Sequence, residues 1–114
     1  MCSRDDVEFF LNDFKTKMKI WGIVFYGRDK NLQALADLEI SGLDRNAILL
    51  KLEVEDYSQG PIEDVNNGPS LWVFGCIINR KEVYIKITMG RFGSETICIS
   101  FHLAEHPMDY PFKN

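Results

Sequence analysis

Hydrophobic residues recur at helical spacing near the start of the chain. Ser3 and Asp6 are spaced to form a capping box, and the apolar stripe that follows predicts a first amphipathic helix. This stripe consists of Val7, Phe10, Leu11, Phe14 and Met18. We expect both phenylalanines on its buried side. The apolar and aromatic run over 20–26 then predicts a strand.

Two shorter helices are predicted in the middle of the chain. The apolar stripe of the second helix is Leu32, Leu35 and Leu38. Ser41 and Asp44 repeat the capping pattern and start a third helix that ends near Leu52. Glycine, proline and asparagine then predict a long loop over 56–69, and loops of this length are often functional.

Three strands are predicted in the C-terminal half, at 71–78, 82–89 and 96–102. Two prolines in 106–112 predict a tail that wraps the surface. The order of elements predicts a single α+β domain over 1–114, with N-terminal helices packed on one face of an antiparallel sheet whose last three strands form a meander.

Alternation assigns the side chains of the last two strands to opposite faces. The apolar set, expected beneath the helices, is Val83, Ile85, Ile87, Ile97, Ile99 and Phe101. Tyr84, Lys86, Ser100 and His102 then share the other face. Pairing of Met89 with Ile97 would place Tyr84 beside His102 and Lys86 beside Ser100, whereas a slip of two residues would place Tyr84 beside Ser100. A turn at Arg80-Lys81 would put Gly75 opposite Lys86 and leave open space there.

Composition and charge restrict the class of protein. Of 114 residues, 46% are hydrophobic and 26% are charged, the balance of one folded domain. The net charge of −4 excludes a globally basic nucleic-acid binder but leaves room for a local basic site. We expect no membrane segment and no signal peptide. The three cysteines lack zinc-site spacing, so we expect reduced thiols in a cytoplasmic protein.

The polar face of the predicted sheet carries side chains that are able to take part in catalysis. Histidine exchanges a proton near neutral pH, lysine stabilises a developing anion, and tyrosine stacks on a base or donates a hydrogen bond. A solvent-facing sheet carries such residues without a site as well, so both interpretations stay open.

Other combinations of side chains give weaker evidence for a functional site. His102 and His106 have the i, i+4 spacing of a metal pair, but Pro107 disfavours the helix that this pair requires. Cys98 and His102 lie more than ~12 Å apart on a strand, too far for a nucleophile–base pair. We therefore predict no metal or other cofactor. Five further basic residues either line an RNA path or form an ordinary solvated surface. They are Lys15, Lys17, Lys19, Arg28 and Lys30.

The run 32–102 resembles the motility quorum-sensing regulator (MqsR) family of toxin–antitoxin toxins, which are small mRNA-cleaving enzymes. The resemblance rests on the order of a helical stretch, the segment Val54-Glu55-Asp56-Tyr57, Trp72, and the strand pair VYIKI and ISF before His102. It implies a RelE-like fold, with helices against a twisted antiparallel sheet, and RNA cleavage without a metal.

Carried over by position, Tyr84 falls on the active-site tyrosine of the family. His102 replaces a lysine of the better-known members, Val73 replaces a glutamine, and no lysine appears among Tyr57, Ser58 and Gln59. From this position and from the chemistry of the polar face, we predict three catalytic residues: Tyr84, Lys86 and His102. The residues expected to contact RNA or to border the cleft are Asp56, Tyr57, Ser58, Gln59, Ser100 and Arg91.

The resemblance implies a bacterial type II toxin that acts as a sequence-selective mRNA endoribonuclease. Its partners would be messenger RNA and a cognate antitoxin. The alternative is a non-catalytic protein-interaction module on the same fold, in which the acidic charge and the missing lysines reflect a lost nuclease activity.

Overall fold

The computed structural model describes residues 2–113, which fold into three α-helices packed on a five-stranded sheet. The elements are α1 (Arg4–Trp21), β1 (Ile23–Phe25), α2 (Asp29–Leu38), α3 (Gly42–Leu50), a 3-10 turn (Val54–Asp56), β2 (Tyr57–Ile62), β3 (Leu71–Ile78), β4 (Lys81–Thr88) and β5 (Thr96–Leu103). None of the helices in this part of the chain has the length and apolar character required to span a bilayer.

Both predicted capping boxes are present. The Ser3 hydroxyl accepts from the Asp6 N–H at 3.2 Å, and the Ser41 hydroxyl accepts from the Asp44 N–H at 3.1 Å. The buried stripe of α1 is confirmed, with Phe14 fully buried. α1 continues to Trp21, so only Ile23–Phe25 of the predicted strand 20–26 is strand.

The predicted stripe of α2 is partly wrong. Leu32 is 64% exposed, whereas Asn31 is buried between α2 and the sheet. The Asn31 amide donates to the Tyr26 and Ile99 carbonyls, both at 2.9 Å, and accepts from the Phe101 N–H at 3.0 Å. A polar residue therefore occupies the contact between helix and sheet because it satisfies backbone groups there.

The sheet has the order β1-β5-β4-β3-β2 and is mixed, not purely antiparallel. β1 runs parallel to β5, and a strand of three residues carries no pattern that specifies its direction. The first part of the predicted loop 56–69 is the edge strand β2, whose pairing with β3 is interrupted by two register shifts. Its glycine and proline predict a loop and hide this irregular pairing.

The hairpin between β3 and β4 turns at Asn79-Arg80, one residue earlier than predicted. Both residues have positive φ, +48° and +70°, as in the tight turns that match the twist of a hairpin. Gly75 consequently lies opposite Tyr84, and not opposite Lys86.

The β4–β5 register confirms the predicted neighbours across the open face. Tyr84 pairs with His102 and Lys86 pairs with Ser100. Beyond Lys86 the register shifts by one residue at a bulge. The buried Cys98 therefore pairs with Ile87 on the helix-covered face.

The same shift corrects one predicted core position on β5, Ile97, and moves a second, Ile99, out of the regular pairing. Ile97 lies opposite Thr88, on the open face, and Ile99 falls within the bulge. Ile99 is buried, with 9% of its surface exposed, but neither residue belongs to the cluster of buried side chains beneath the helices.

The tail wraps the surface, as predicted, and crosses the face opposite the helices. Glu82 accepts hydrogen bonds from the Met108 N–H at 3.2 Å and from the Tyr110 hydroxyl at 2.8 Å. A Cβ on Gly75 would lie 2.5 Å from the Tyr110 hydroxyl oxygen and 2.7 Å from the Met108 sulfur. The tail thus fills the space above Gly75 that was expected to be open.

Candidate functional site

A cleft of about 600 Å³ opens on the sheet face opposite the helices. Its floor comes from β4 and β5, one side from β2, and another from the tail and the start of α2. The lining residues are Arg28, Ser58, Gln59, Tyr84, Lys86, Ser100, His102, Glu105, His106, Pro107, Met108 and Asp109. The structure therefore gathers the three predicted catalytic side chains, Tyr84, Lys86 and His102, in one cavity.

Tyr84 and His102 stack across neighbouring strands. Their ring centroids are 5.3 Å apart and the ring planes differ by 15°. His102 Nδ1 lies 2.9 Å from the Leu103 carbonyl oxygen. Because a carbonyl only accepts, Nδ1 carries a proton, and Nε2 of the neutral ring keeps a lone pair. The imidazole is thus held in one orientation and one tautomer.

Lys86 is half-buried beside this pair. Its Nζ lies 5.8 Å from the centroid of the Tyr84 ring, a cation–π distance. Within residues 2–113 it forms no ion pair. Ser100, the cross-strand neighbour of Lys86, is only 3% exposed, less accessible than the alternation predicts.

β2 contributes only part of the expected cleft border. Ser58 and Gln59 line the cavity, whereas Asp56 and Tyr57 do not. Tyr57 pairs with Phe74 on the helix-covered face, and its ring lies 5.3 Å from the Phe112 ring. Burial raises the pKa of the Tyr57 hydroxyl to about 12, and burial also raises the pKa of Asp56.

Tyr57 is therefore a core residue, because a strand sends successive side chains to opposite faces and Ser58 takes the outward position. Arg91 also lies outside the cleft. It follows β4 in an exposed turn, and its carbonyl accepts from Lys17 Nζ at 2.6 Å.

The basic residues outside the strands do not all lie at the cleft. Arg28 lines the cleft, and its guanidinium carbon lies 5.9 Å from the Tyr26 ring centroid. Lys30 forms a 2.7 Å ion pair with Glu105 at the cleft edge. Lys15 instead donates to the Leu52 carbonyl, and Lys17 donates to the Met89 carbonyl. Lys19 is exposed on α1, so of the five residues considered for an RNA path Arg28 is the one that lines the cleft.

Sequence reasoning missed the tail as a wall of the site. Residues 105–109 have no helix or strand periodicity, so only the spacing of His102 and His106 indicated that they lie near each other. The tail brings two carboxylates, Glu105 and Asp109, next to the basic groups. The hydrogen bond from Lys30 lowers the pKa of Glu105, which therefore stays ionised.

Two other chemistries considered from the sequence find little support in the geometry. Cys98 points away from the cleft, and burial raises its pKa to about 12. Among residues 2–113, no three histidine, cysteine or acidic side chains converge in the way that a metal site requires.

Comparisons of the chain with protein-family models, with curated proteins and with solved structures found no match. The fold places the protein in the α+β class. The RelE-like assignment and the toxin activity stay predictions that rest on the resemblance to the MqsR family.

Proposed function

We propose that the protein is a metal-independent, sequence-selective mRNA endoribonuclease. The observation that carries the proposal is the placement of Tyr84, Lys86 and His102 around one open cleft, with no hydrogen bond to His102 Nε2 within residues 2–113. An imidazole, an ammonium and an aromatic ring are the groups that RNA cleavage needs for proton transfer, charge stabilisation and base stacking.

The reaction would begin with the ribose 2′-hydroxyl. A base removes its proton while the oxygen attacks the adjacent phosphorus in line, and an acid gives a proton to the departing 5′-oxygen. The products are a 2′,3′-cyclic phosphate and a free 5′-hydroxyl. Lys86 would stabilise the charge that develops on the phosphoryl oxygens, and Tyr84 would stack on a neighbouring base.

The cleft offers two imidazoles for the two proton transfers. His102 is fixed by the Leu103 carbonyl and suits the role of base through Nε2. His106 lies on the tail that lines the same cleft and suits the role of acid. Arg28 adds a second cation to bind the phosphate backbone.

The toxin role and the cytoplasmic location rest on the resemblance to the MqsR family. The implied partners are cellular mRNA as substrate and a cognate antitoxin protein that neutralises the activity. Growth arrest on expression, relieved by a protein encoded beside the gene, would support this part of the proposal independently of the cleavage assay.

Cleavage in EDTA tests the nuclease proposal directly. Purified protein should cut single-stranded RNA and leave a 2′,3′-cyclic phosphate or its hydrolysis product. His102→Ala should slow cleavage by ~10²–10⁴-fold, the usual effect of losing an acid or base. Lys86→Ala should slow it by ~10²-fold or more. Lys51→Ala, a change of an exposed lysine outside the cleft, should cut at the wild-type rate.

Tyr84→Phe keeps the ring and separates stacking from hydroxyl chemistry, because a small effect means stacking. If the protein leaves a range of RNAs intact, or if His102→Ala cuts normally, the nuclease assignment is wrong.

One observation favours a second function, a protein-interaction module without catalysis. Glu105 and Asp109 line the cleft beside the cations, and the chain carries a net charge of −4. Carboxylates at this position repel phosphate. RNA binding that is absent in pull-down and in cleavage assays, together with a harmless phenotype on expression, would favour this function.

A further inference from the structure

Tyr26 presents its ring on the same side of the sheet as the cleft. In β1, Phe25 packs against the core cluster and pairs with the buried Cys98, whereas Val24 pairs with Ile97 on the open face. Since side chains alternate along an extended chain, Tyr26 also points to the open face. It does not line the cleft itself but lies beside Arg28, which does.

The fold fixes the backbone of Tyr26 and leaves its ring accessible. Its N–H donates to the Cys98 carbonyl at 3.1 Å, and its carbonyl accepts from the Asn31 amide at 2.9 Å. The side chain is 42% exposed and is not part of the core cluster. An aromatic ring that is exposed on an anchored backbone offers a surface on which a nucleic-acid base can stack.

Arg28 places a cation next to this ring. Its guanidinium carbon lies 5.9 Å from the centroid of the Tyr26 ring. Within residues 2–113, Arg28 forms no ion pair, whereas Lys30 is paired with Glu105 at 2.7 Å. The charge of Arg28 is therefore available to a phosphate. An aromatic platform beside a phosphate-binding cation is the combination by which proteins hold single-stranded nucleic acid.

Strand spacing locates Tyr26 relative to the proposed reaction centre. β1 is next to β5, β5 is next to β4, and Lys86 on β4 lies opposite Ser100 on β5. Neighbouring strands are about 4.8 Å apart, so the strand positions of Tyr26 and Lys86 are separated by roughly 10 Å across the sheet. A ring at this distance suits the base of a nucleotide that neighbours the one whose phosphate Lys86 would hold.

We propose that Tyr26 and Arg28 form a subsite for a nucleotide of single-stranded RNA that flanks the cleavage site. The base stacks on the Tyr26 ring, and the phosphate binds Arg28. This inference rests on the proposed function, because it extends the same RNA strand from the cleft over the end of β1. Stacking accepts every base, so the subsite adds affinity and not sequence selectivity.

Binding of an oligonucleotide that the protein cannot cut tests the subsite. The probe is a fluorescein-labelled 2′-O-methyl hexamer of alternating adenine and uracil, which has no free 2′-hydroxyl to attack the phosphate. In anisotropy titrations, Tyr26→Ala and Tyr26→Leu should each weaken binding by about 5–100-fold, because both remove the aromatic face. Tyr26→Phe keeps the ring and should bind within about 2-fold of wild type.

Salt dependence tests Arg28 separately. Each phosphate that a protein neutralises on a single strand contributes about 0.7 to the slope of log affinity against log salt, so Arg28→Gln should lower this slope by about 0.7. Two exposed residues outside the cleft provide matched controls. Phe92→Ala removes a ring from the turn after β4, and Arg80→Gln removes a cation from the β3–β4 turn. Both variants should bind within about 2-fold of wild type.

The outcomes separate this inference from the nuclease assignment. Equal binding by Tyr26→Ala and wild type, or no binding of the hexamer, would overturn the subsite, while RNA cleavage in EDTA would still support the proposed function. Binding that depends on Tyr26 in a protein that cuts no RNA would support the subsite and overturn the nuclease assignment. If both hold, Tyr26→Ala should raise KM for RNA about 5-fold or more and leave kcat unchanged.

Discussion

Asn31 joins α2 to the bulge of β5, and its replacement by alanine is the sharpest test of how the fold is held together. The side chain is 3% exposed and makes three hydrogen bonds to backbone groups. Asn31→Ala would leave the Phe101 N–H and the Ile99 carbonyl buried without a partner. An unsatisfied buried group costs ~1–3 kcal/mol, so we expect a loss of about 2–5 kcal/mol in the free energy of unfolding.

Urea unfolding measures this loss. With a denaturant slope of about 1–3 kcal/mol/M, the midpoint should fall by about 0.7–5 M while the slope stays constant. Hydrogen exchange should also accelerate at the Phe101 amide, whose acceptor is removed. Asn12→Ala, a change of an exposed asparagine on α1, should alter the free energy of unfolding by less than about 0.5 kcal/mol.

A loss below about 1 kcal/mol in Asn31→Ala, with an unchanged denaturant slope, would refute this reasoning. It would mean that water replaces the amide at no cost, as happens only where a cavity is polar and roomy enough. The bulge would then be maintained by the sheet itself and not by α2.

Three other predictions concern the core, the tail and the thiols. Phe14→Ala should lower the free energy of unfolding by roughly 3–5 kcal/mol, because the ring is fully buried, and a loss below ~1 kcal/mol in urea would contradict the packing of α1. Gly75→Ala should displace the tail, since its Cβ would lie 2.5 Å from the Tyr110 hydroxyl; unchanged NMR signals at Met108 would contradict this. Burial raises the pKa of Cys98 to about 12, so it should resist alkylation at about pH 8 until urea unfolds the chain, as mass spectrometry can show.

Local signals in the sequence predicted the elements that depend on local physics. Ser3 and Ser41 begin helices because their hydroxyls accept the orphan N–H groups of the first turn, a requirement that is visible within a few residues. The alternation along β4 likewise predicted which side of the sheet Tyr84 and Lys86 occupy. These predictions needed no knowledge of distant contacts.

The errors occur where distant contacts decide the structure. The stripe of α2 was assigned to Leu32 because a leucine is ordinarily buried, yet the buried position belongs to Asn31, which bonds to residues nearly 70 positions away. The family resemblance predicts Tyr57 at the cleft border, but aromatic packing with Phe74 places it in the core. Neither outcome follows from a local pattern.

In the candidate site, too, one part follows from local sequence patterns and another part is decided by distant contacts. Its floor, where Tyr84 lies beside His102, follows from the pairing of β4 with β5, and the patterns of these two strands specify that pairing. Its outer wall follows from the tail, which is fixed by Glu82 and by the missing side chain of Gly75. A sequence without periodicity gives no signal for such a contact until the fold is known.

The bulge in β5 also determines which chemistry the cleft can perform. Without the one-residue shift, Cys98 would lie on the same face as Ser100 and His102, and its thiol would stand in the open cleft. The shift turns Cys98 into the core, where burial raises its pKa and keeps it protonated. The cleft keeps the imidazole of His102 and the ammonium of Lys86, which favours proton transfer and charge stabilisation over attack by a cysteine nucleophile.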